Sequence, residues 1–430
     1  MSVRNPGVAR RELWAWAMYD FANSGYTTVI LTAVFSTYFV SEVAGNAPWA
    51  TFAWTAALSV SYLAVMLTMP WLGARADARG AKRRLLFCST AVCLGGTAAM
   101  ASVGPGPGAV ALAVIALAIS NYGYGVGESA IGSFLPELAR PEALGRVSGW
   151  GWGLGYFGGM LTLGLALVVV LSAKNHLVPA TTYVPWVVGL TCLVFGLAAL
   201  PSFLLLRERA GARCPAPVVG EVLGRLLASW RNVGTEFPEF RAFLYCLLAY
   251  QAGIAVVITL SAVYASMVMG FDMVDVMKLI FVVNIAAALG ALSFGFVQDR
   301  IGHRPALALT LCGWLSMVGV AYAARTPEVF WIAATLAGLC MGTSQSTGRA
   351  LTGALAPRGR LGEFYGLWSV ATQCAAVIGP LCYGTVTWVS GGDHRLAILA
   401  CGGFFLLGLT LLARVNVRQG LARVAATGLA

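Results

Sequence analysis

Three charged residues stand in segments that are otherwise apolar, and their types could do chemistry. Asp20 lies in WAMYDFANSGYTT, Glu128 in NYGYGVGESA and Arg349 in TSQSTGRA. A charge at membrane depth costs about 2.5–3.5 kcal/mol on insertion scales, so each of them needs a counter-charge or a water-filled cavity. The carboxylates and the guanidinium could pair with each other or hold the two ends of a zwitterion, and either acid could carry a proton.

Polar residues accompany these charges. Several of them are three, four or seven positions from a charge, which places them on the same face of a helix. The candidate substrate or proton site comprises Asp20, Asn23, Ser24, Asn121, Tyr124, Glu128, Gln251, Gln345 and Arg349. For Gln251, and for Tyr250 and Asn284 near it, hydrogen bonding between helices is the competing role.

The elements that must position these residues are membrane-spanning helices. The chain has 430 residues, 59% hydrophobic and 10% charged, with a mean hydropathy of +0.78. Soluble domains carry about 25% charged residues, and a spanning helix needs about 20 mainly apolar ones. The sequence predicts twelve such helices, at 13–40, 50–72, 85–103, 109–135, 147–172, 185–206, 240–270, 276–297, 305–324, 328–355, 364–390 and 395–416.

The net charge of +11 could suggest nucleic acid as a partner, but its distribution indicates membrane topology. With an even number of helices, 23 of the 28 Lys and Arg residues fall in one set of loops and segments at the termini. Lys174, Lys278, Arg325 and Arg395 lie on the other side, and Arg349 lies inside a helix. This asymmetry predicts a multi-pass protein of the cell membrane with both termini cytoplasmic. Its partners would be the lipid bilayer and a small molecule.

Two inter-helix motifs occur twice, which indicates an internal repeat. GARADARGAKRR and GFVQDRIGHR match at an offset of 222 positions, and LGRVSGWGWGLGYFGG and LGEFYGLWS at 217. The repeated positions pair Gly73 with Gly295, Asp77 with Asp299, Gly80 with Gly302, Lys82 with Arg304, Gly145 with Gly362 and Gly149 with Gly366. The sequence therefore predicts two pseudo-symmetric six-helix halves.

The predicted domain boundaries follow from this repeat. We expect an N-terminal half at 1–206, a cytoplasmic linker at 207–238, a C-terminal half at 239–417 and a cytoplasmic tail at 418–430. The linker segment VVGEVLGRLLASWRNV, residues 218–233, is amphipathic and is predicted to lie on the membrane surface.

The doubled loop motif resembles the cytoplasmic signature of the major facilitator superfamily. WAMYDFANSGYTTVI and SFLPELARPEALGRVSGWGWGLGYFGG resemble its vacuole-effluxer-like branch, and the composition fits a bacterial member better than a fungal one. The resemblance implies an all-helical fold in which helices 1, 4, 7 and 10 line a central cavity. It also implies that the two loops hold the cytoplasmic side shut, with Asp77 and Asp299 as carboxylates and Arg79, Lys82, Arg300 and Arg304 as basic partners.

The three buried charges share one level in the cytoplasmic half. Glu128 and Arg349 correspond at an offset of 221, and at 1.5 Å per residue Asp20 has a similar depth. Three roles remain open: an ion pair between the halves that closes an inner gate, recognition of a zwitterion, and proton coupling through Asp20 or Glu128. Arg349 is the expected partner of Asp20.

The expected function is secondary transport of a small polar solute. The resemblance implies an amino acid or similar zwitterion as the substrate and efflux as the direction. A drug or siderophore-like exporter and a non-transporting receptor are the alternatives. The sequence has no H-E-x-x-H, G-x-S-x-G or phosphate-loop signature, so an enzyme is not expected. Its dispersed cysteines and histidines predict no metal site, and we expect a monomer without a cofactor.

Overall fold

The computed structural model describes residues 3–47, 49–104, 106, 108–209, 222–271 and 273–426. Within these residues, twelve long helices form one bundle. They are α1 Arg10–Val43, α2 Ala50–Arg79, α3 Lys82–Met100, α4 Ala109–Gly132, α5 Leu144–Asn175, α6 Ala180–Leu205, α7 Pro238–Met269, α8 Met273–Ile301, α9 His303–Ala323, α10 Pro327–Leu355, α11 Leu361–Val389 and α12 His394–Ala413. The predicted helices are confirmed, and the chain is a multi-pass membrane protein.

Ten of the described helices are long and apolar enough to cross a membrane by themselves, and α3 and α10 are not among them. The reason lies in their sequences. The helix α3 begins with KRR, and α10 carries the polar run TSQSTGR. Both pack against other helices of their own half, α3 on α4 and α10 on α8 and α9.

The packing of the helices repeats between the two halves. In the N-terminal half, α1 packs on α5 and α6, and α4 packs on α2 and α3. In the C-terminal half, α7 packs on α11 and α12, and α10 packs on α8 and α9. The halves meet through α2 with α11 and α5 with α8, which are equivalent pairs under the repeat. The two pseudo-symmetric six-helix halves are therefore confirmed.

The segment between α2 and α3 and the segment between α8 and α9 are shorter than predicted. The reason is that α2 and α8 continue through most of the repeated motif. Helix α2 ends at Arg79, followed by Gly80 in the left-handed conformation at φ 58°. Helix α8 ends at Ile301, followed by Gly302 at φ 90°. Only these glycines have the backbone freedom that the sharp exit requires. Asp77 and Asp299 therefore lie in terminal helical turns, and the prediction that they belong to loops was wrong.

Glycines allow the halves to approach each other at two equivalent helix crossings. A Cβ atom on Gly73 would lie 2.1 Å from the carbonyl oxygen of Gly362, and one on Gly295 would lie 2.7 Å from that of Gly145. Both distances are shorter than van der Waals contact, so only glycine fits. These crossings lie on the face where α1 begins and α12 ends, which we call the terminal face.

Two smaller helices and a change of helical type complete the fold. The linker helix Val222–Glu236 packs on α2 and α7, and Val417–Ala426 packs on α7 and α10. Residues 218–221 of the predicted amphipathic segment lie outside the described residues, as do 427–430 of the tail. Within α1, Tyr26–Ala33 and Phe39–Val43 are π-helical. Such segments are rare and are frequently found at functional sites, and the first begins six residues after Asp20.

The packing of α10 against α8 predicts the effect of one added methyl group. A Cβ atom on Gly342 would lie 1.9 Å from the carbonyl oxygen of Ala287. Gly342→Ala should therefore destabilise the C-terminal half by about 1–3 kcal/mol, as overpacking does, and lower the melting temperature in detergent. Gly319→Ala is the matched control, because its Cβ atom meets open space. Equal melting temperatures for the two variants would contradict this packing.

Candidate functional site

Arg349 lies on α10 of the C-terminal half, but its guanidinium group binds the N-terminal half. Its Nη1 lies 2.7 Å from Oδ2 of Asp20 on α1. Its Nε donates to Oγ of Ser148 at 3.2 Å, and its Nη2 donates to the Ser148 carbonyl oxygen at 3.0 Å. The side chains of Arg349 and Asp20 are 3% and 8% exposed. The predicted pairing of Asp20 with Arg349 is present and is an ion pair between the halves.

Two indole rings enclose the guanidinium group. The Cζ atom of Arg349 lies 4.7 Å from the ring centroid of Trp16 and 5.3 Å from that of Trp152. Such cation–π contacts contribute about 0.5–2 kcal/mol each, most where water is excluded. A Cβ atom on Gly151 would fall 2.3 Å from Asp20 Oδ2. A glycine at this position leaves the space that the ion pair occupies.

The ion pair is close, but it is not a well-aligned hydrogen bond. Oδ2 of Asp20 is buried and accepts no hydrogen bond of acceptable geometry from the described residues, although Nη1 is 2.7 Å away. Asp20 therefore holds Arg349 mainly through charge, at one point.

Glu128 is the third of the predicted charges, and it differs from Asp20. Among the described residues no basic side chain forms an ion pair with it, and its side chain is half-buried on α4. The charges of Asp20 and Arg349 both act on it, so all three groups are near one another. Tyr124 lies one turn before it on the same helix. Glu128 is thus a carboxylate that the charge of Arg349 reaches but that has no ion-pair partner of its own among the described residues.

The repeat pairs these charged positions with one another. The Tyr19 hydroxyl lies 2.5 Å from the Cβ position of Gly127, and the Tyr250 hydroxyl lies 2.4 Å from that of Gly348. The residues that follow in each sequence are Asp20 and Glu128 in one half and Gln251 and Arg349 in the other. Asp20 and Gln251 are therefore equivalent, as are Glu128 and Arg349. The equivalent of the Asp20–Arg349 pair is Gln251 with Glu128, which contains only one charge.

The other predicted site residues occupy positions around these charges. Gln251 and Gln345 form an amide pair at 2.9 Å, and Ser24 and Asn121 donate to the Asp20 carbonyl oxygen and to Ser61 Oγ. Asn121 is buried against α2, whereas Tyr124, Gln345 and Ser24 are half-buried and Asn23 is buried. The weaker candidate Asn284 donates to a carbonyl oxygen of its own helix, and the buried Tyr250 hydroxyl has no partner among the described residues.

Asp77 and Asp299 each cap a helix of the opposite half, and we call these two contacts the latches. Asp77 accepts the backbone N–H groups of Gly362 and Glu363 at 3.0 and 3.1 Å, at the start of α11. Asp299 accepts the N–H group of Gly145 at 3.0 Å, at the start of α5. Carboxylates are favoured at helix N-termini because the N–H dipoles point toward them. The latches stabilise contact of the halves at the terminal face.

The basic partners of the latches differ from those predicted. Lys82 is confirmed beside Asp77 at 3.4 Å, and it also binds Glu137 at 2.6 Å. The predicted pairing of Asp299 with Arg300 or Arg304 was wrong, because its partner is Arg146 at 2.6 Å. Arg304 instead donates to the carbonyl oxygen of Ala413, and Arg79 and Arg300 are exposed. The repeat could not predict Arg146 as a partner, because its counterpart in the other half is the acid Glu363.

The linker helix reaches the first latch. Ser229 donates a hydrogen bond to the side chain of Glu363, the residue whose N–H group binds Asp77. Arg360 pairs with Glu363 at 2.9 Å and with Glu236 of the linker helix at 2.8 Å. The chain between the halves is thereby connected to the start of α11.

Four residues of the Arg349 environment were not predicted as site residues. Ser148, Gly151 and Trp152 lie in the glycine-rich motif of α5, and Trp16 lies one turn before Asp20. Glycines of this motif also allow close helix packing, as at Gly149, whose Cβ position is 2.2 Å from the Ala291 carbonyl oxygen. The usable signal was the spacing of Trp16 and Asp20, which places both on one face of α1.

Two six-helix halves that meet across paired helix crossings define a protein of the major facilitator superfamily. The human organic anion transporter MFSD10 superposes with a TM-score of 0.75 over 94% of this chain and 99% of that chain, at 16% identity. This similarity shows the fold. The chain belongs to the vacuole effluxer Atg22-like family, whose sequence profile matches residues 49–425.

Two relatives are similar to this chain in sequence. The uncharacterized MFS-type transporter YxiO of Bacillus subtilis is 25% identical over 415 residues, 93% of this chain and 94% of that protein. Autophagy-related protein 22 of Coccidioides immitis is 25% identical over 271 residues, 56% of this chain. The match spans 44% of that fungal relative, less than half of its length. The resemblance predicted from the sequence is confirmed, and the relatives support a transporter.

The first latch predicts a defect in transport without a defect in folding. Asp77→Asn removes the charge that caps α11, an interaction worth about 0.3–2 kcal/mol. Lys82 keeps Glu137 as a counter-ion, so membrane insertion should be normal while the transport rate falls severalfold. Asp393→Asn is the matched control, because Asp393 caps α12 on the opposite face. Transport by Asp77→Asn at the full rate would contradict the role of the latch.

Proposed function

We propose that this protein is a secondary transporter that exports a small zwitterion, with an amino acid as the leading substrate, by alternating access. The observation that carries the proposal is the group of Asp20, Glu128 and Arg349. Both halves of the protein contribute these opposite charges to one group within the membrane-spanning helices. Intramembrane charges are costly and occur mostly where a substrate or ion passes.

The position of the ion pair supports a gating role. Asp20 and Arg349 belong to different halves and are buried between them. The halves cannot separate at the terminal face while this contact and the two latches persist. The structure therefore corresponds to a state closed at the terminal face, and transport requires these contacts to break and re-form, as rigid-body rocking of two halves demands.

The charges also support a zwitterion over the alternatives. A carboxylate group and an ammonium group on one small molecule complement Arg349 and an acid. A drug or siderophore-like exporter would favour a more aromatic and less charged site. A receptor that transports nothing would not need two latches between halves. Proton coupling remains a second proposed role for Glu128, because no basic side chain among the described residues pairs with it.

The direction of transport and the orientation follow from charge and family. Most Lys and Arg residues lie toward the terminal face, so we propose that this face is cytoplasmic and that the protein resides in the cell membrane. Efflux is proposed from the family's description as vacuole effluxer-like. The boundaries 1–206, 207–238, 239–417 and 418–430 remain our proposed division of the chain, as does a monomeric carrier.

Comparison of metabolites identifies the substrate. Cells that lack the protein should accumulate the exported solute relative to wild-type cells, and cells that carry Arg349→Gln should accumulate the same solute. Purified protein in proteoliposomes should then catalyse counterflow of that solute. Binding of the solute without counterflow would favour a receptor, and accumulation of an apolar drug-like compound would favour the other exporter.

The inter-half pair predicts a specific result for a double variant. Asp20→Asn or Arg349→Gln alone leaves a buried charge unpaired and should cost about 3–5 kcal/mol, less if water enters. The double variant Asp20→Asn with Arg349→Gln should regain most of the melting temperature but remain inactive in counterflow, because the residues also bind the zwitterion. Glu128→Gln is run alongside, since Glu128 could replace Asp20 as the counter-ion. Recovered counterflow in the double variant would show that the pair is only a structural contact.

A further inference from the structure

We propose that Glu128 binds the ammonium group of the substrate and that the substrate carboxylate then replaces Asp20 at Arg349. The zwitterion itself would thereby break the contact between the halves. This inference rests on the proposed function, because it requires a substrate with both charges. It assigns different tasks to the two acids. Glu128 binds the substrate, and Asp20 holds the two halves together.

The first step follows from the unequal chemistry of two equivalent positions. At one of them the protein supplies both charges, Asp20 and Arg349, at 2.7 Å. At the other it supplies Glu128 and the neutral Gln251, which hydrogen-bonds to Gln345 instead. An ionised carboxylate at membrane depth needs a counter-charge or a water-filled cavity. The described cation whose charge acts on Glu128 is Arg349, which is already paired with Asp20, so a ligand ammonium group would complete the second position.

The surroundings of Glu128 suit an ammonium group. Tyr124 lies one turn away, and the charge of Glu128 acts on Tyr62 of α2. The ring of Tyr26 lies 5.5 Å from that of Tyr124. Aromatic faces beside a carboxylate attract cations through the ring quadrupole. Glu128 is also half-buried, unlike Asp20 and Arg349, so it is the more accessible of the three charges.

The second step follows from the geometry at Arg349. Ser148 accepts one N–H group from Nε and one from Nη2, and Asp20 lies against Nη1 without an aligned hydrogen bond. A guanidinium group has five N–H groups, so Nη1 and Nη2 retain donors for another acceptor. Bidentate carboxylates bind arginine more strongly than single contacts do. A substrate carboxylate that uses both nitrogens would therefore displace the one-point contact of Asp20.

The energetic balance explains why both ends of the substrate are needed. Removing Asp20 from Arg349 without a replacement leaves two buried charges unpaired, which is strongly unfavourable. An amine that lacks a carboxylate binds Glu128 but cannot substitute for Asp20. A zwitterion pairs with Glu128 and Arg349 together, and the displaced Asp20 is then solvated by water that enters between the separating halves. Opening of the terminal face without substrate is therefore unfavourable, and in export the exchange runs in reverse, with Asp20 displacing the substrate carboxylate from Arg349 as that face closes.

The test uses two ligand mixtures on the purified full-length protein in detergent. One contains the neutral L-amino acids, and the other contains their decarboxylated amines at the same concentrations. Binding is measured as a rise in melting temperature. Opening is measured as hydrogen–deuterium exchange of the Gly362 and Glu363 amides, which Asp77 protects in the closed state. Both mixtures should raise the melting temperature, but only the amino acids should increase exchange, by at least tenfold.

Variants locate the two steps. Glu128→Gln should weaken binding of both mixtures at least tenfold, and Glu128→Asp should restore part of it. Glu42→Gln is the matched control, because it removes a carboxylate from an exposed position of α1. Asp20→Glu, which keeps the charge, should fold and still require the amino acids for opening. Unchanged binding by Glu128→Gln would overturn the ammonium site.

The remaining outcomes separate this inference from the proposed function. If the amines increase exchange as much as the amino acids do, carboxylate exchange at Arg349 is wrong while zwitterion transport stands. If the amino acids bind without increasing exchange, the same step is wrong. If neither mixture binds, the proposed substrate class is wrong, and the inference falls with it.

Discussion

The high cost of an unpaired charge at membrane depth is the constraint on which the centre of this protein depends. Arg349 is stable there because the opposite half surrounds it with Asp20, Ser148 and two indole rings. Removal of either charged partner leaves the other charge buried and unpaired, which destabilises the protein. In the proposed mechanism, the arginine connects the halves and is released when another anion takes the place of Asp20.

The two pseudo-symmetric halves carry different side chains at equivalent central positions, so the connection between them is chemically asymmetric. Duplicated halves would place equal residues at equivalent positions, and the backbone contacts do repeat, as at Gly73 with Gly362 and Gly295 with Gly145. The side chains have diverged. One central position carries a complete ion pair, and the other carries Glu128 with a neutral amide. A similar divergence distinguishes the latches, which share a helix-capping aspartate but have different basic partners.

Much of this arrangement could be predicted from the sequence, because the strongest signals were long apolar segments and a doubled motif. These signals, together with the three charges inside apolar segments, predicted the number of helices, the two halves and the pairing of Asp20 with Arg349. Ser148 and Trp152 could not be assigned, since glycine-rich helices give the same signal for packing as for a binding surface. Arg146 was missed because the repeat directed attention to Arg300 and Arg304. Which basic residue pairs with Asp299 depends on side-chain direction, and no periodicity encodes it.

The central claim is that the Asp20–Arg349 contact holds the halves together at the terminal face. Hydrogen–deuterium exchange of the latch amides tests it without a known substrate. The double variant Asp20→Asn with Arg349→Gln should exchange the Gly145, Arg146, Gly362 and Glu363 amides at least tenfold faster than wild type, with the cores of both halves still protected. Exchange at the wild-type rate at all four amides, in a folded double variant, would show that the latches alone close this face and would contradict the account.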